Sequence, residues 1–527
     1  MPKLVVWFKD VDKNDISLVG GKGANLGEMI KNGIPVPDGF IVTSEAYYHF
    51  LEAAEIKPKL FSTLKDLNVV NSKELETAAL KCQKIIETAP IPKEISDLII
   101  KFYHSMGKVL RDQLVAVRSS ATAEDLPTAS FAGQQATFLN IAGEASLVHH
   151  VRLCWASLFT ARAIFYRAEN KFDHFKLGIA VPVQKMVQSE KSGIMFTVDP
   201  VTNRKNVVVI EAIYGLGELI VQGAITPDHY EVDKESLSIV HKKINAQDKY
   251  MTLKQNRTII DYVVKSIASA QKISDSEIIE IAKLGKKLEA HYYFPQDIEW
   301  AVEKGKIYIT QTRPITTLNT KQAGSKSFTG DKHEVIHTHS VILHGDPASP
   351  GIASGPVRIV HSAKEIAQVQ KGEVPVAPQT NPDYVPAMKK VVAIITETGG
   401  RTSHAAIVSR ELGIPAIVGA VGALKKLTAG QIVTVHGSRG VVYKGGILAS
   451  AGMKDEGVPI STLSPGIAEP AVTHKTATKL YVNLAEPEKA AEIAKYHVDG
   501  VGLLRAEFMI AGIGTHPKKF IKDGKRN

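Results

Sequence analysis

The sequence contains little cysteine and no long apolar run. Its two cysteines, Cys82 and Cys154, form neither a disulfide framework nor a metal-ligand spacing, which favours a reducing compartment. No apolar stretch approaches the length that spans a bilayer, and the first residues lack the apolar core and cleavage site of a secretory signal. These absences predict a cytoplasmic protein that does not act in a membrane.

The sequence also lacks a strong excess of one charge. Its 64 Lys and Arg residues against 54 Asp and Glu residues leave a net charge of +10 that is spread along the chain, so nucleic-acid binding is not expected. A mild positive charge suits polyphosphate ligands, although it can also come from an ordinary solvated surface rich in lysine. The 44% of hydrophobic residues is ordinary for a globular protein, and 527 residues suffice for three or more domains.

The segment Thr396–Gly419 predicts a strand, a glycine turn, a helix and a second strand. Gly399-Gly400 allow a tight turn, and either Thr402 or Ser403 can cap the helix. His404 then falls in the first helical turn, where free backbone N–H groups and the helix dipole favour an anion. An imidazole in this place is a candidate nucleophile for a phosphoryl group. A histidine that only occupies a capping turn is the alternative.

Two motifs in the first third of the chain suit phosphate groups. A Gly-Gly-Lys-Gly turn precedes a helix that we expect from about Lys22 to Asn32, although an ordinary helix start is the alternative. Residues 114–140 predict two apolar strands around a loop of small and hydroxylated residues that can close over phosphates. Arg118 ends the first of these strands and can clamp a phosphate through two hydrogen bonds. A hairpin with a surface arginine is the alternative.

Residues 296–314 predict a β-hairpin that carries acidic and amide side chains. A three-residue Lys-Gly-Lys loop would pair Glu299 with Gln311, and Asp297 with Arg313, across the two strands. These four side chains would then share one face, whereas a two-residue loop would split them. The shared face gathers oxygen ligands for Mg²⁺ beside an arginine for phosphate. A surface hairpin with cross-strand charge pairs is the alternative.

Together these motifs resemble those of the phosphoenolpyruvate-utilising enzyme family, in particular its pyruvate, water dikinases and pyruvate, phosphate dikinases. The resemblance covers nearly all of the chain and implies a multidomain α/β and α+β architecture. It implies an ATP-grasp-like nucleotide-binding domain, a linker, a swivelling phosphohistidine β/α domain, a second linker and the incomplete start of a TIM-type barrel. The corresponding boundaries are 1–320, 321–344, 345–448, 449–474 and 475–527.

The resemblance also assigns residues to the nucleotide site. Lys22 and Arg118 match the family's phosphate-binding residues. Glu299 and Gln311 match the residues that hold the magnesium and nucleotide, and Arg313 matches the arginine beside them. Mg²⁺ is therefore the cofactor that we expect.

Three further residues take roles from the same resemblance. His404 matches the histidine that carries the phosphoryl group. Arg505, in the phrase Gly500–Met509, matches a substrate-binding arginine at the end of a barrel strand, and an arginine closing an ordinary strand is the alternative. Thr402 matches the position that a regulatory kinase modifies in some dikinases, with helix capping as the alternative.

The implied reaction converts ATP, pyruvate and water into phosphoenolpyruvate, AMP and phosphate through a phosphohistidine. A barrel of the TIM type needs roughly 250 residues, and the sequence after residue 475 predicts only about two βα units, with strands at 480–483 and 501–504 and a helix at 486–495. We therefore expect this chain to carry out the ATP half-reaction only, unless a second chain or a homo-oligomer supplies the barrel. The alternatives are an enzyme that uses phosphate in place of water, or a non-catalytic ATP-binding or phosphocarrier fragment.

Overall fold

We describe a computed structural model of the chain. The structure describes residues 3–69, 71–107, 113–122, 136–169, 172–255, 257–315, 340–446, 479, 481–484 and 499–504. The chain divides into two compact units, residues 1–457 and 458–527, and each is described by itself. Within these described ranges, no helix is both long and apolar enough to cross a membrane.

The first sheet of the larger unit is antiparallel and lies against a layer of helices. Its strands run in the order β1-β2-β6-β3-β5, with β4 paired to β6. They are β1 (Val5–Trp7), β2 (Gly39–Val42), β3 (Val115–Arg118), β4 (Ser120–Ala121), β5 (Thr137–Ile141) and β6 (Ile179–Lys185). The helices are α2 (Ser44–Ala53), α3 (Lys57–Leu64), α4 (Ser72–Thr88), α5 (Lys93–Met106), α6 (Glu144–Ala156) and α7 (Ala161–Glu169). Strand residues such as Phe40 and Val183 share one core with helix residues such as Phe50 and Trp155.

A second antiparallel sheet contains the hairpin of residues 296–314. Its order is β10-β9-β8-β7-β13-β14. The strands are β7 (Lys191–Phe196), β8 (Val207–Tyr214), β9 (Asp228–Asp233), β10 (Ile239–Lys243), β13 (Gln296–Glu303) and β14 (Lys306–Pro314). Its core is shared with α1 (Ile16–Lys31) and α10 (Asp275–Tyr292), and a capping box of Ser274 and Glu277 begins α10. The remaining elements are the ribbon β11 (Lys249–Lys254) and β12 (Arg257–Tyr262), with α8 (Glu218–Val221) and α9 (Lys265–Ala268).

The third sheet belongs to the region of His404. Its order is β15-β22-β21-β17-β18-β19-β20-β16, and β17 to β20 are parallel. The strands are β15 (Val341–His344), β16 (Asp346–Ser349), β17 (Ile352–Ile359), β18 (Val374–Ala377), β19 (Ile394–Thr396), β20 (Ala416–Val418), β21 (Ile432–His436) and β22 (Val441–Lys444). The helices are α11 (Val385–Met388), α12 (His404–Leu412) and α13 (Ala423–Lys426). Since β15 pairs with β22, the sheet begins at Val341, and the expectation that the first linker runs to residue 344 was wrong.

Two short strands represent the smaller unit. β23 (Tyr481–Leu484) and β24 (Gly500–Leu504) pair in parallel, as the first two strands of βα units do. Strands were predicted at 480–483 and 501–504, within one residue of these bounds. The predicted helix at 486–495 and Arg505 lie outside the described residues.

Candidate active site

One cavity of about 700 Å³ brings the predicted nucleotide residues and the predicted nucleophile together. Residues of both antiparallel sheets line it, and so do residues of the β18–β19 connection and of α12. Six of the residues predicted to form the site line this cavity: Lys22, Arg118, Glu299, Gln311, Arg313 and His404. The three sequence motifs and the histidine segment, which are far apart in the chain, therefore contribute to one site.

The glycine turn before Lys22 packs directly on the strand that follows Arg118. Gly20 has φ 67°, and a methyl group there would overlap the backbone of Ser120, so only glycine permits this approach. The Lys22 ammonium donates to the carbonyl of Ser119 at 3.2 Å. Gly20 has non-helical backbone angles and divides α1 into two helical segments, and the second segment, which ends at Lys31, agrees with the helix predicted from about Lys22 to Asn32. The turn thus holds a lysine beside the second phosphate motif.

Arg118 is positioned by the hairpin. Its Nη2 donates to Glu299 Oε2 at 2.9 Å, and its Nη1 donates to the carbonyl of Thr310 at 3.1 Å. The guanidinium side chain is only 12% exposed, so Arg118 reaches the cavity in a fixed orientation. A fixed planar cation that already has one carboxylate partner can still offer its remaining N–H groups to a phosphate.

The hairpin pairs the predicted residues, but by a different turn. Glu299 faces Gln311 and Asp297 faces Arg313, which confirms the predicted pairing. Because Glu303 pairs with Lys306, the loop has only two residues, Lys304 and Gly305. Both have positive φ. A β-bulge beside Trp300 adds one residue to the second strand and restores the predicted register. The prediction of a three-residue loop was therefore wrong.

The side chains of this hairpin leave oxygen atoms available for a cation. Gln311 Oε1 is buried and has no hydrogen-bond partner among the described residues, while Glu299 beside it uses Oε2 for Arg118. Arg313 donates to Asp297 at 2.8 Å, and burial raises the pKa of Asp297 although Arg313 opposes this. The described residues contain no cluster of three or more His, Cys, Asp or Glu side chains suited to a metal. Two side-chain oxygens fit Mg²⁺, which commonly takes its other ligands from phosphates and water.

His404 is the first residue of α12 and is held by one ring nitrogen. Its Nδ1 lies 2.9 Å from Thr380 Oγ1, and its buried Nε2 has no hydrogen-bond partner within the described ranges. Burial, followed by the positive charge of Arg162, lowers the pKa of His404 to about 4. The imidazole is therefore neutral near pH 7. When Nδ1–H donates to Thr380, the lone pair on Nε2 is free to attack.

Two family models match long segments of this chain. Residues 16–333 match the family model described as "Pyruvate phosphate dikinase, AMP/ATP-binding domain", and residues 369–440 match "PEP-utilising enzyme, mobile domain". The chain is 46% identical to the probable phosphoenolpyruvate synthase of Pyrococcus horikoshii, with 100% of this chain and 68% of that protein aligned. The chain belongs to the phosphoenolpyruvate synthase family.

Two other members of the family have similar sequence identity to this chain. The phosphoenolpyruvate synthase of Pyrococcus furiosus is 44% identical over 99% of this chain and 68% of its own length. The probable phosphoenolpyruvate synthase of Methanothermobacter thermautotrophicus is 42% identical over 100% of this chain and 75% of its own length. The family resemblance that the motifs indicated is thus confirmed.

The loop before His404, residues 397–403, here called the histidine loop, contacts the nucleotide-binding region of this family member. The Arg401 amide donates to Glu211 Oε1 at 2.8 Å, and the Thr402 hydroxyl donates to Glu211 Oε2. Thr402 is only 1% exposed. Neither Thr402 nor Ser403 caps the helix through its side chain, so that prediction was wrong. We call this arrangement, with the loop against Glu211, the docked state.

Sequence reasoning missed three residues that shape the site. Glu211 interrupts the apolar strand β8. An acidic residue in such a run indicates a side chain that has a polar partner, and this pattern is visible in the sequence. Thr380 follows β18 and orients His404, but nothing in its neighbourhood singles it out. Glu218 lines the cavity at the start of α8, directly after two closely spaced glycines.

Proposed function

We propose that residues 1–446 carry out the ATP half of a pyruvate, water dikinase reaction, with His404 as the nucleophile. The observation that supports this most is the docked state, in which His404 shares one cavity with Lys22, Arg118, Glu299 and Gln311. Membership of the phosphoenolpyruvate synthase family supports the same reaction. The region 1–315 would act as an ATP-grasp-like domain, and 340–446 as a swivelling carrier.

In this mechanism the Nε2 lone pair of His404 attacks the β-phosphorus of ATP. The new bond is Nε2–P, the bond from that phosphorus to the α,β-bridging oxygen breaks, and AMP leaves with the electron pair. The pyrophosphoryl group on His404 then loses its outer phosphate to water. Thr380 holds Nδ1 throughout, so that Nε2 faces the reaction unprotonated. Lys22 and Arg118 counter the negative charge on the transferring group.

Glu299 and Gln311 would hold Mg²⁺ together with the nucleotide phosphates. When bound, the ion neutralises phosphate charge and aligns the group for transfer. Two oxygen donors beside an arginine suit this task, since Mg²⁺ retains water and phosphate ligands. Glu218 lies in the same cavity and offers a further carboxylate.

The second half-reaction would pass the phosphoryl group to pyruvate. The family resemblance assigns Arg505 to pyruvate or phosphoenolpyruvate in a barrel that begins with β23 and β24. The parallel pairing of these strands supports a βα arrangement. A covalent carrier makes two distant sites compatible, because His404 can leave the cavity with its phosphoryl group.

Regulation at Thr402 is a further part of the proposal. In the docked state its hydroxyl is buried against Glu211, so a kinase would reach it only after the histidine loop has left. A phosphate on Thr402 would then oppose the Glu211 carboxylate and keep His404 away from the nucleotide.

The test uses the full chain with Mg²⁺ and ATP labelled in its β-phosphate. We expect AMP together with an acid-labile labelled protein, and neither with His404→Ala. His436→Ala is the matched control, because His436 ends β21 in the same region of the chain but does not line the cavity. Labelling that persists in His404→Ala would refute the assignment.

A parallel reaction with pyruvate is assayed directly for phosphoenolpyruvate. Release of phosphate indicates the water dikinase, and release of pyrophosphate in phosphate buffer indicates the phosphate dikinase. A chain that binds ATP without forming AMP would instead be a binding module.

A further inference from the structure

The histidine loop docks on a short segment of the nucleotide-binding region, residues 223–227, which we call the seat. The Thr398 hydroxyl lies 2.9 Å from the carbonyl of Gly223 in the seat and 2.9 Å from the carbonyl of Pro378, and it can donate to either. Gly400 packs on Pro227 so closely that a methyl group on Gly400 would lie 2.7 Å from the proline ring. The seat therefore touches the loop through backbone and ring atoms that cannot adjust by changing a rotamer.

A buried ion pair follows the seat immediately. Asp228 and Lys272 are both 0% exposed, and Lys272 Nζ lies 3.0 Å from Asp228 Oδ1. The Asp228 carboxylate also accepts hydrogen bonds from the Tyr230 hydroxyl at 2.7 Å, the backbone N–H of Asn245 at 2.9 Å and the backbone N–H of Lys272 at 3.0 Å. Asp228 thus ties together the start of β9, the segment after β10 and the residues before α10. We call Asp228, Lys272 and Asn245 the clamp.

The clamp is bonded to the seat itself. Asn245 Nδ2 donates to the carbonyl of Pro227 at 2.7 Å. The Lys272 ammonium in turn donates to the carbonyl of Asn245. Pro227, on which Gly400 packs, is therefore held at its carbonyl by a hydrogen-bonded network whose two charged members, Asp228 and Lys272, are buried.

The position of the clamp separates it from the chemistry. None of its three residues lines the nucleotide cavity. A buried ion pair is a poor way to gain stability, because desolvation offsets most of the attraction between the charges. It does fix geometry, since each charge is satisfied in only one arrangement.

We propose that Asp228 and Lys272 are positioning residues for phosphoryl transfer to His404. They hold the seat so that the histidine loop docks with Nε2 at the distance that attack requires. This inference rests on the proposed function. Small displacements of reacting groups cost large factors in rate, so loss of the clamp should slow phosphohistidine formation by about ten- to a hundredfold at saturating ATP. The dissociation constant for ATP should not change.

The experiment compares Asp228→Asn with Lys234→Met in the full chain. Lys234 forms an ion pair with Glu289 near the other end of β9, so its loss perturbs the same sheet without touching the seat. Single-turnover labelling gives the transfer rate, and a non-hydrolysable ATP analogue gives nucleotide affinity. We expect Asp228→Asn to lower the rate alone, and Lys234→Met to lower neither. Equal rates in both variants, or a matching loss of nucleotide affinity in Asp228→Asn, would overturn the proposal.

A milder variant guards against misfolding. Asn245→Ala keeps the buried ion pair but removes the bond to the Pro227 carbonyl, so it should slow transfer in the same direction. Combined with Thr398→Val, which removes the neighbouring bond to the seat, its effect should be less than multiplicative. Fully multiplicative effects would mean that the clamp does not act through the seat.

Hydrogen exchange distinguishes a failure of this inference from a failure of the proposed function. The Arg401 amide is bonded to Glu211 only when the loop is docked, so its protection reports docking without any turnover. Asp228→Asn should reduce this protection, and Lys234→Met should not. A wild-type protein that forms no phosphohistidine refutes the function, whereas unchanged Arg401 protection in Asp228→Asn refutes the clamp.

Discussion

Docking of the histidine loop should depend on pH, because it buries an imidazole. In the docked state the pKa of His404 is lowered from 6.5 to about 4, first by burial and then by Arg162. This difference between the two pKa values means that protonation of His404 destabilises the docked state by roughly 3 kcal/mol. Because the docked pKa is the lower one, docking is strongest above pH 6.5. It weakens about tenfold for each pH unit from 6.5 down to about 4.

NMR titration of the histidine ring protons in the nucleotide-free chain measures this directly. We expect His404 to titrate well below pH 6 in the wild type and near 6.5 in Gly400→Val, whose side chain collides with Pro227 and prevents docking. His436, which ends β21 and does not line the cavity, serves as an internal control and should titrate at the same pH in both proteins. A His404 that titrates near 6.5 in the wild type would refute the reasoning.

Five other variants follow from the site. Arg118→Ala and Glu299→Ala should each lower AMP formation by at least tenfold, with the far-UV circular dichroism and melting temperature nearly unchanged, because both side chains serve the cavity; unchanged AMP formation would contradict this. Gln311→Ala should raise the Mg²⁺ concentration needed for half-maximal rate, which a Mg²⁺ titration of AMP formation at fixed ATP would detect. Thr402→Val should weaken docking by about 1.5–3 kcal/mol, the usual contribution of a hydrogen bond to a charged group, and Thr402→Glu should weaken it further by repulsion from Glu211. Exchange of the Arg401 amide checks both, and equal exchange in the two variants would argue against repulsion.

The hairpin shows which part of the site could be predicted from the sequence and which could not. Alternation of side chains indicated that Glu299 and Gln311 belong together, and the structure agrees. The turn was predicted from loop length alone. A two-residue turn with a bulge gives the same pairing as a three-residue turn, and periodicity cannot separate the two.

The helix start at His404 shows a different limit. The glycine turn and the place of His404 in the first helical turn were predicted correctly from local pattern. Capping by Thr402 or Ser403 was not, because the Thr402 hydroxyl bonds to Glu211, which is 191 residues away in sequence. Local propensity describes a segment in isolation, whereas docking supplies a stronger acceptor than the helix offers. Thr380 was missed for the same reason, since its role depends on a contact between distant loops.

The bulge in the hairpin has a consequence for how this family can tolerate insertions and deletions. Thr310 is the additional residue, and its carbonyl is one of the acceptors for Arg118. Without a bulge, the two-residue turn would place Thr310 opposite Glu299. Deletion of Thr310 should therefore keep the turn and the Glu299–Gln311 pairing while removing the carbonyl that accepts from Arg118. One deletion should thus leave the proposed magnesium ligands together and weaken only the contact that orients the arginine.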